Sequence, residues 1–300
     1  MTECERLIET GLFTPDYFKP EVRCDFLVDE KRKKIWAVLL DLLRQFDEVC
    51  RKHGLRYYLM YGSLLGAVRH KGFIPWDDDL DVAMPREDYE KLLQLESEFC
   101  SPYFLQVPGR DNGYYYSFVK VRNSRTTGLS EMFAYERFNQ GLFLDVFPLD
   151  SAKEETALED ALKIERLNIE NSTAMRRSNP ELTGENLARV RNYFGRDPVE
   201  TLREIESIAR QYESEETEYV SNSTMTIYKP PKNFFHKEDF CDTVMMPFEG
   251  FKFPAPVGWE RLLKGVYGDY RQFPPVEKRG TWHAGSIFDP DRPYAEYLKG

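Results

Sequence analysis

Apolar residues recur at helical spacing between positions 29 and 53, where Ile35, Val38, Leu39, Leu42, Leu43, Phe46 and Val49 fall on one stripe. Gly54 ends the run, so the pattern predicts one long helix buried along one face. Residues 55–60 are short and apolar and read as a strand running into the Gly62-Ser63 pair. Residues 63–70 then read as a short helix, with Ser63 as N-cap and Gly72 closing it. A strand is expected over 80–84, and Pro85 opens a helix reaching about residue 99. Further strands are expected over 115–121 and 142–147. Strands with helices packed against them, built largely within 30–150, make this an α/β (α+β) fold.

From 152 to about 221 the pattern changes to dense charge, few aromatics and no strand signal. Helices are expected near 154–170, 185–194 and 198–212, punctuated by Asn179-Pro180 and by 195–198. Such an insert either covers the sheet or frames a substrate. From 224 the chain turns aromatic and proline-rich, and Phe248-Glu249-Gly250-Phe251 predicts a hairpin. Residues 259–267 read as a helix stopped at Gly268, followed after Pro274 by an irregular tail. The expected division is a catalytic core with its leader at 1–150, a helical insert or subdomain at 151–222, and a segment at 223–300 that completes the catalytic domain.

Chemistry concentrates in two places. GSLLGAVRHKGFIPWDDDLD spans 62–81, and GLFLDVFPLD ends at Asp150. In a strand Asp79 and Asp81 would share a face about 6–7 Å apart, with Leu80 and Val82 turned into the core. Carboxylates that close repel unless a cation lies between them, and Mg²⁺ or Mn²⁺ suits them. Asp145, between Leu144 and Val146, would be costly to bury unpaired, and a shared metal would remove the cost. A Gly-Ser turn, an acid pair and a third acid on a neighbouring strand are the parts of a nucleotidyltransferase-type site. Taken singly, each acid could instead belong to a solvated turn or an ion pair.

Around the acids lie candidate phosphate ligands. The amides of Gly62 and Ser63 open a helix and could receive an anion. Arg69 and His70 either hold phosphate or form an exposed helix end whose charge complements the dipole, the reading preferred for Lys71. Lys120 and Arg122, two apart at a strand end, face either the phosphates or solvent. Tyr114–Tyr116 and the stretch Phe248 to Phe253 are candidates for enclosing a quaternary ammonium, with ordinary strand packing favoured for the tyrosines. Arg279 and His283 in the tail could reach back to the site.

The net charge of −10 over 300 residues argues against nucleic acid as partner, and 41% hydrophobic residues suffice for a packed core. Cys4, Cys24, Cys50, Cys100 and Cys241 are scattered without metal-type spacing and read as reduced thiols. No run approaches the ~18 apolar residues of a membrane span, and the acidic start lacks a signal peptide's features. The expectation is a cytoplasmic protein, at most peripheral to a membrane.

GSLLGAVRHKGFIPWDDDLDVAMPREDYEKL followed by GLFLDVFPLD resembles the LicD family of phosphotransferases, relatives of fukutin and fukutin-related protein. PFEGFKFPAPVGWERLLKGVYGDYRQFPP, then Arg279 and His283, is similar as well. The resemblance covers roughly 30–150 and 240–285. It implies a nucleotidyltransferase-like mixed sheet with flanking helices, transferring a phospho-alcohol such as phosphocholine from CDP-choline. The acceptor it implies is a sugar hydroxyl of a glycan or lipid-linked sugar. Asp79 and Asp81 take the place of the family's metal-binding pair, Asp145 that of the third acid, and Gly62 and Ser63 that of the turn. A nucleotidyltransferase acting on a nucleoside triphosphate would use the same acids, and a catalytically silent nucleotide-binding subunit would keep the fold.

Overall fold

The structure, a computed structural model, describes residues 1–176, 178–180, 183–185, 188, 196–224, 230–281, 283 and 285–299. A short helix, α1 (Glu3–Glu9), and a small hairpin, β1 (Glu21–Arg23) with β2 (Phe26–Val28), precede the long helix α2 (Glu30–His53). The Asp29 carboxylate caps α2 by accepting from the Arg32 amide, and Gly54 leaves it in the left-handed conformation at φ 64°. Its apolar stripe, including Trp36, Val38, Leu39 and Leu42, is buried against the sheet.

Seven strands form that sheet. The two-residue β3 (Tyr58–Leu59) runs antiparallel to β4 (Asp81–Pro85), and the helix α3 (Tyr61–His70) fills the connection. Beyond β4 come α4 (Arg86–Leu92), β5 (Tyr103–Gln106), β6 (Val119–Asn123), β7 (Thr127–Ser130) and the long β8 (Leu142–Ala152). β8 is central: it pairs parallel with β4 and antiparallel with β6. After α5 (Glu154–Ala174) and α6 (Pro198–Ala209), its last three residues take up β9 (Tyr219–Ser221). β10 (Phe234–His236) extends that edge, and β5 lies outside β6. This is the mixed sheet with flanking helices of an α+β fold.

The C-terminal part follows its local signals. β11 (Thr243–Phe248) and β12 (Phe251–Pro256) form the hairpin, with Glu249 at φ 47° and Gly250 at φ 86° making its turn. α7 (Trp259–Tyr267) stops at Gly268. The tail is not wholly irregular, because β13 (Ser286–Asp289) pairs with β7.

Other boundaries moved for identifiable reasons. The strand expected over 115–121 occupies 119–123, so Tyr114–Tyr116 lie outside it and do not alternate across a sheet. The strand expected over 142–147 continues to Ala152, and 219–221, read as featureless, becomes its partner; both depend on long-range pairing. The helix expected to reach residue 99 ends at Leu92, where the chain passes into a short 3₁₀ turn at Glu96–Glu98. The helix expected over 185–194 lies almost wholly outside the described residues. Among the described residues no helix is long and apolar enough to cross a membrane.

Candidate active site

Asp81 and Asp145 occupy the same rung of the parallel β4–β8 pair. Their backbones are pinned on both sides: the Asp145 amide donates to the Leu80 carbonyl at 2.9 Å, and the Met60 amide to the Asp81 carbonyl at 3.1 Å. Ser63 completes the lock, its Oγ accepting from the Asp81 amide at 2.8 Å. That is a correction to its expected N-cap role. α3 begins two residues earlier, behind Met60, and Lys71 rather than Gly72 takes the left-handed closing position at φ 59°.

Asp79 precedes the strand instead of lying in it, because β4 starts at Asp81. It joins Asp77 and Asp78, whose carboxylate oxygens all lie within 4.8 Å of one another and of its own. α2 holds this acidic turn from beneath, with Arg32 Nη1 and Trp36 Nε1 donating to the Asp77 carbonyl at 2.8 and 2.9 Å. Gly62 packs against the same turn, and a Cβ there would stand 2.8 Å from Asp77 Oδ2. Tyr61, which opens α3, has φ 45°, a conformation rare for a bulky residue and more often found at functional sites.

Burial is the largest influence on these acids, and it raises Asp77, Asp79 and Asp81 above the ordinary carboxylate range. Asp79 and Asp145 push Asp81 further up, while Lys120 pulls it down. The acids outnumber the cations beside them, and their donors are hard oxygens. That chemistry would fit a hard divalent cation such as Mg²⁺ or Mn²⁺; among the described residues the carboxylates close enough to share one are those of Asp77, Asp78 and Asp79, while Asp79, Asp81 and Asp145 line one cavity. Asp78 is committed elsewhere. Its Oδ1 pairs with His283 Nδ1 at 2.9 Å, and Thr281 Oγ1 donates to Oδ2. Burial would lower the His283 pKa, but Asp78 and Asp79 outweigh it and raise it.

The expected basic residues separate. Lys120 and Arg122 are only 6% and 4% exposed, so the solvent-facing alternative is wrong for both. Lys120 pairs with Asp145 Oδ1 and lies 3.6 Å above the Phe143 ring. Burial pulls its pKa down, with Asp145 opposing. Arg122 is tied to Gln106 and to the Gly141 carbonyl at 2.7 Å. Arg69 Nη1 donates to the carbonyls of Tyr270 and Gln272 at 3.0 and 3.2 Å, and its guanidinium covers Phe273. It braces a C-terminal strap over the site. Its Nε donates to His70 Nε2 at 2.9 Å. Burial and the nearby Arg69 and Arg23 hold His70 down to about 4, so His70 is neutral at pH 7 and brings no charge for phosphate.

These groups line a cavity of about 1070 Å³ that takes in Gly62, Arg69, Asp77, Asp79, Asp81, Lys120, Arg122, Asp145 and His283. Phe273 of the strap and Asn168, Ser172 and Thr173 of α5 line it as well. Of the aromatics considered for an ammonium, Phe248, Phe253 and Tyr114 are fully buried and unavailable, whereas Tyr116 borders the cavity. Asp77, the Asp78–His283 pair and the α5 wall had no decisive signal in the sequence.

Carboxylates on paired strands beside a helix start are the arrangement expected of a nucleotidyltransferase-type domain. Residues 54–173 match the family described as LicD/FKTN/FKRP, nucleotidyltransferase domain. The chain carries a LicD-family domain and is related to the fukutin group. It is 25% identical to the lipopolysaccharide cholinephosphotransferase LicD of Haemophilus influenzae, over 82% of this chain and 93% of that protein. It is 52% identical to the human ribitol 5-phosphate transferase FKRP, but over 19% of this chain and 12% of that one. The mannosyltransferase regulator 4 of Saccharomyces cerevisiae is 28% identical over 49% of this chain and 13% of its own length.

The bracing role of Arg69 is open to measurement. Arg69→Ala should speed limited proteolysis within 268–281 and weaken donor binding about tenfold, as expected for losing charged hydrogen bonds. Wild-type cleavage and wild-type affinity together would remove Arg69 from the site.

Proposed function

We propose that this chain is a phosphotransferase that moves a phospho-alcohol from a nucleoside-diphosphate donor to a sugar hydroxyl. Phosphocholine from CDP-choline is the first donor to test, given the printed function of the Haemophilus relative that this chain matches over most of its length. The observation that carries the reading is the shared rung of Asp81 and Asp145 facing the cavity beside the start of α3. Asp79, Asp81 and Asp145 would hold a divalent cation, which supplies charge neutralisation at the donor's phosphate oxygens.

The chain's own groups do the rest. The first-turn amides of α3, at Gly62 and Ser63, have no partner within the helix and offer donors to a phosphate. Lys120 holds Asp145 by Oδ1, and we assign Oδ2 to orienting the acceptor hydroxyl. The acceptor hydroxyl gives its proton to Asp145 Oδ2 and its oxygen attacks the phosphorus bearing the alcohol; the bond from that phosphorus to the bridging oxygen breaks, and the nucleoside monophosphate leaves in line carrying that oxygen. Catalysis of this kind is mainly positioning and charge stabilisation.

Product analysis tests it. With CDP-choline labelled in choline, a glycan acceptor and Mg²⁺, CMP should be released and the label should appear on the sugar. Consumption of a nucleoside triphosphate, with pyrophosphate released and nucleotide on the product, would replace this reading with a nucleotidyltransferase.

A further inference from the structure

The cavity has two unlike ends with the acids between them. At one end Phe273 lies 6.3 Å from Trp76, which directly precedes the acidic turn. At the other, Lys120 leads from Asp145 to the rings of Phe118 and Tyr116, and Tyr116 meets Phe133 edge-on at 6.2 Å. The wall facing these rings is α5 and the residues just after it, contributing Asn168, Ser172, Thr173 and Arg176.

That wall carries unpaired donors. Asn168 is only 8% exposed, and its Oδ1 accepts from Ser117 Oγ at 2.7 Å, so Nδ2 is the end turned away from that contact. Among the described residues Nδ2 is buried without a hydrogen-bond partner, and so is Arg176 Nε. Buried donors are nearly always satisfied in folded proteins, so two along one cavity wall point to a ligand that brings oxygens. A quaternary ammonium has no acceptor to offer and is repelled by Arg176. An acyl chain would leave both donors unmet. A sugar ring fits both requirements, with its C–H face on Tyr116 and Phe118 and its hydroxyl oxygens on Asn168 and Arg176.

We propose that α5 with Arg176 forms the acceptor subsite, holding a sugar ring between the Tyr116–Phe118 platform and the donors of Asn168 and Arg176. The inference rests on the transferase reading above and adds to it the wall that receives the acceptor. It assigns a binding role to the first helix of the insert, whose sequence offered only covering or framing as alternatives.

Binding can be measured without turnover, so this inference and the transferase reading fail separately. Saturation-transfer NMR with methyl glucoside, methyl galactoside and N-acetylglucosamine, each at millimolar concentration, should show contact with the wild-type protein. Asn168→Ala and Arg176→Gln should each weaken the best-bound sugar by roughly five- to tenfold, the size expected for one hydrogen bond. CMP titration and thermal melting on the same variants report the opposite end of the cavity and the fold. Sugar binding lost with CMP affinity and melting temperature preserved supports the subsite. Equal sugar binding by wild type and both variants, or no sugar contact by the wild type, overturns it, whether or not CDP-choline proves to be the donor.

Discussion

Asp81→Asn should reduce turnover by about 10²–10³-fold or more and abolish measurable Mg²⁺ or Mn²⁺ binding, while the metal-free protein melts at the same or a higher temperature. The two effects have opposite signs for one reason. Burial and the charges of Asp79 and Asp145 make ionised Asp81 costly, so a neutral amide should relieve the fold while disabling the proposed cation site. Asn is nearly isosteric, and the Asp81 amide that Ser63 holds is unchanged. Calorimetric metal titration, thermal melting and steady-state kinetics on one preparation give all three numbers. Unaltered turnover, or a variant that melts well below the wild type, would sink the assignment.

The second large effect concerns a residue with no chemistry. Propensity alone says that Gly66, inside α3, should be improved by alanine, since glycine in a helix interior costs about 1 kcal/mol relative to it. The structure reverses the sign. A Cβ on Gly66 would stand 2.4 Å from the Gly72 carbonyl oxygen, a backbone atom with no rotamer to escape into, with the Ile74 amide nitrogen in ordinary contact at 3.5 Å. The segment they belong to leads directly into the acidic turn. Gly66→Ala should therefore cost about 3 kcal/mol, read as a lowered urea midpoint at unchanged slope, and should also weaken metal binding. A variant as stable as wild type would show that the 72–74 segment yields freely.

Those two residues show where reading the sequence succeeds and stops. α2, α7 and the Glu249-Gly250 hairpin were legible because their signals are local: a periodic stripe, a stop glycine, a turn dipeptide. The acids stood out by type and context. Their assembly did not, because Asp145 meets Asp81 through strand pairing across a long crossover, and His283 meets Asp78 across 205 residues. The charged side chains were least legible. Lys120 and Arg122 alternate with valines on β6, as they would on a solvated strand, and only β8 lying alongside buries them. The neutrality of His70 likewise depends on Arg69 and Arg23 packing around it, which no spacing announces.

The common rung of Asp81 and Asp145 has a consequence for how the protein reaches its working state. Side chains along a strand alternate faces, so a slip of one residue between β4 and β8 would turn one carboxylate away from the other. No half-registered intermediate can present both carboxylates to one cation. The pairing also closes a long loop, the kind of contact whose entropy must be spent before it returns anything. Cation affinity should therefore be absent from early collapsed species during refolding and return in step with the central sheet, making a metal titration a clock for the pairing of β4 with β8.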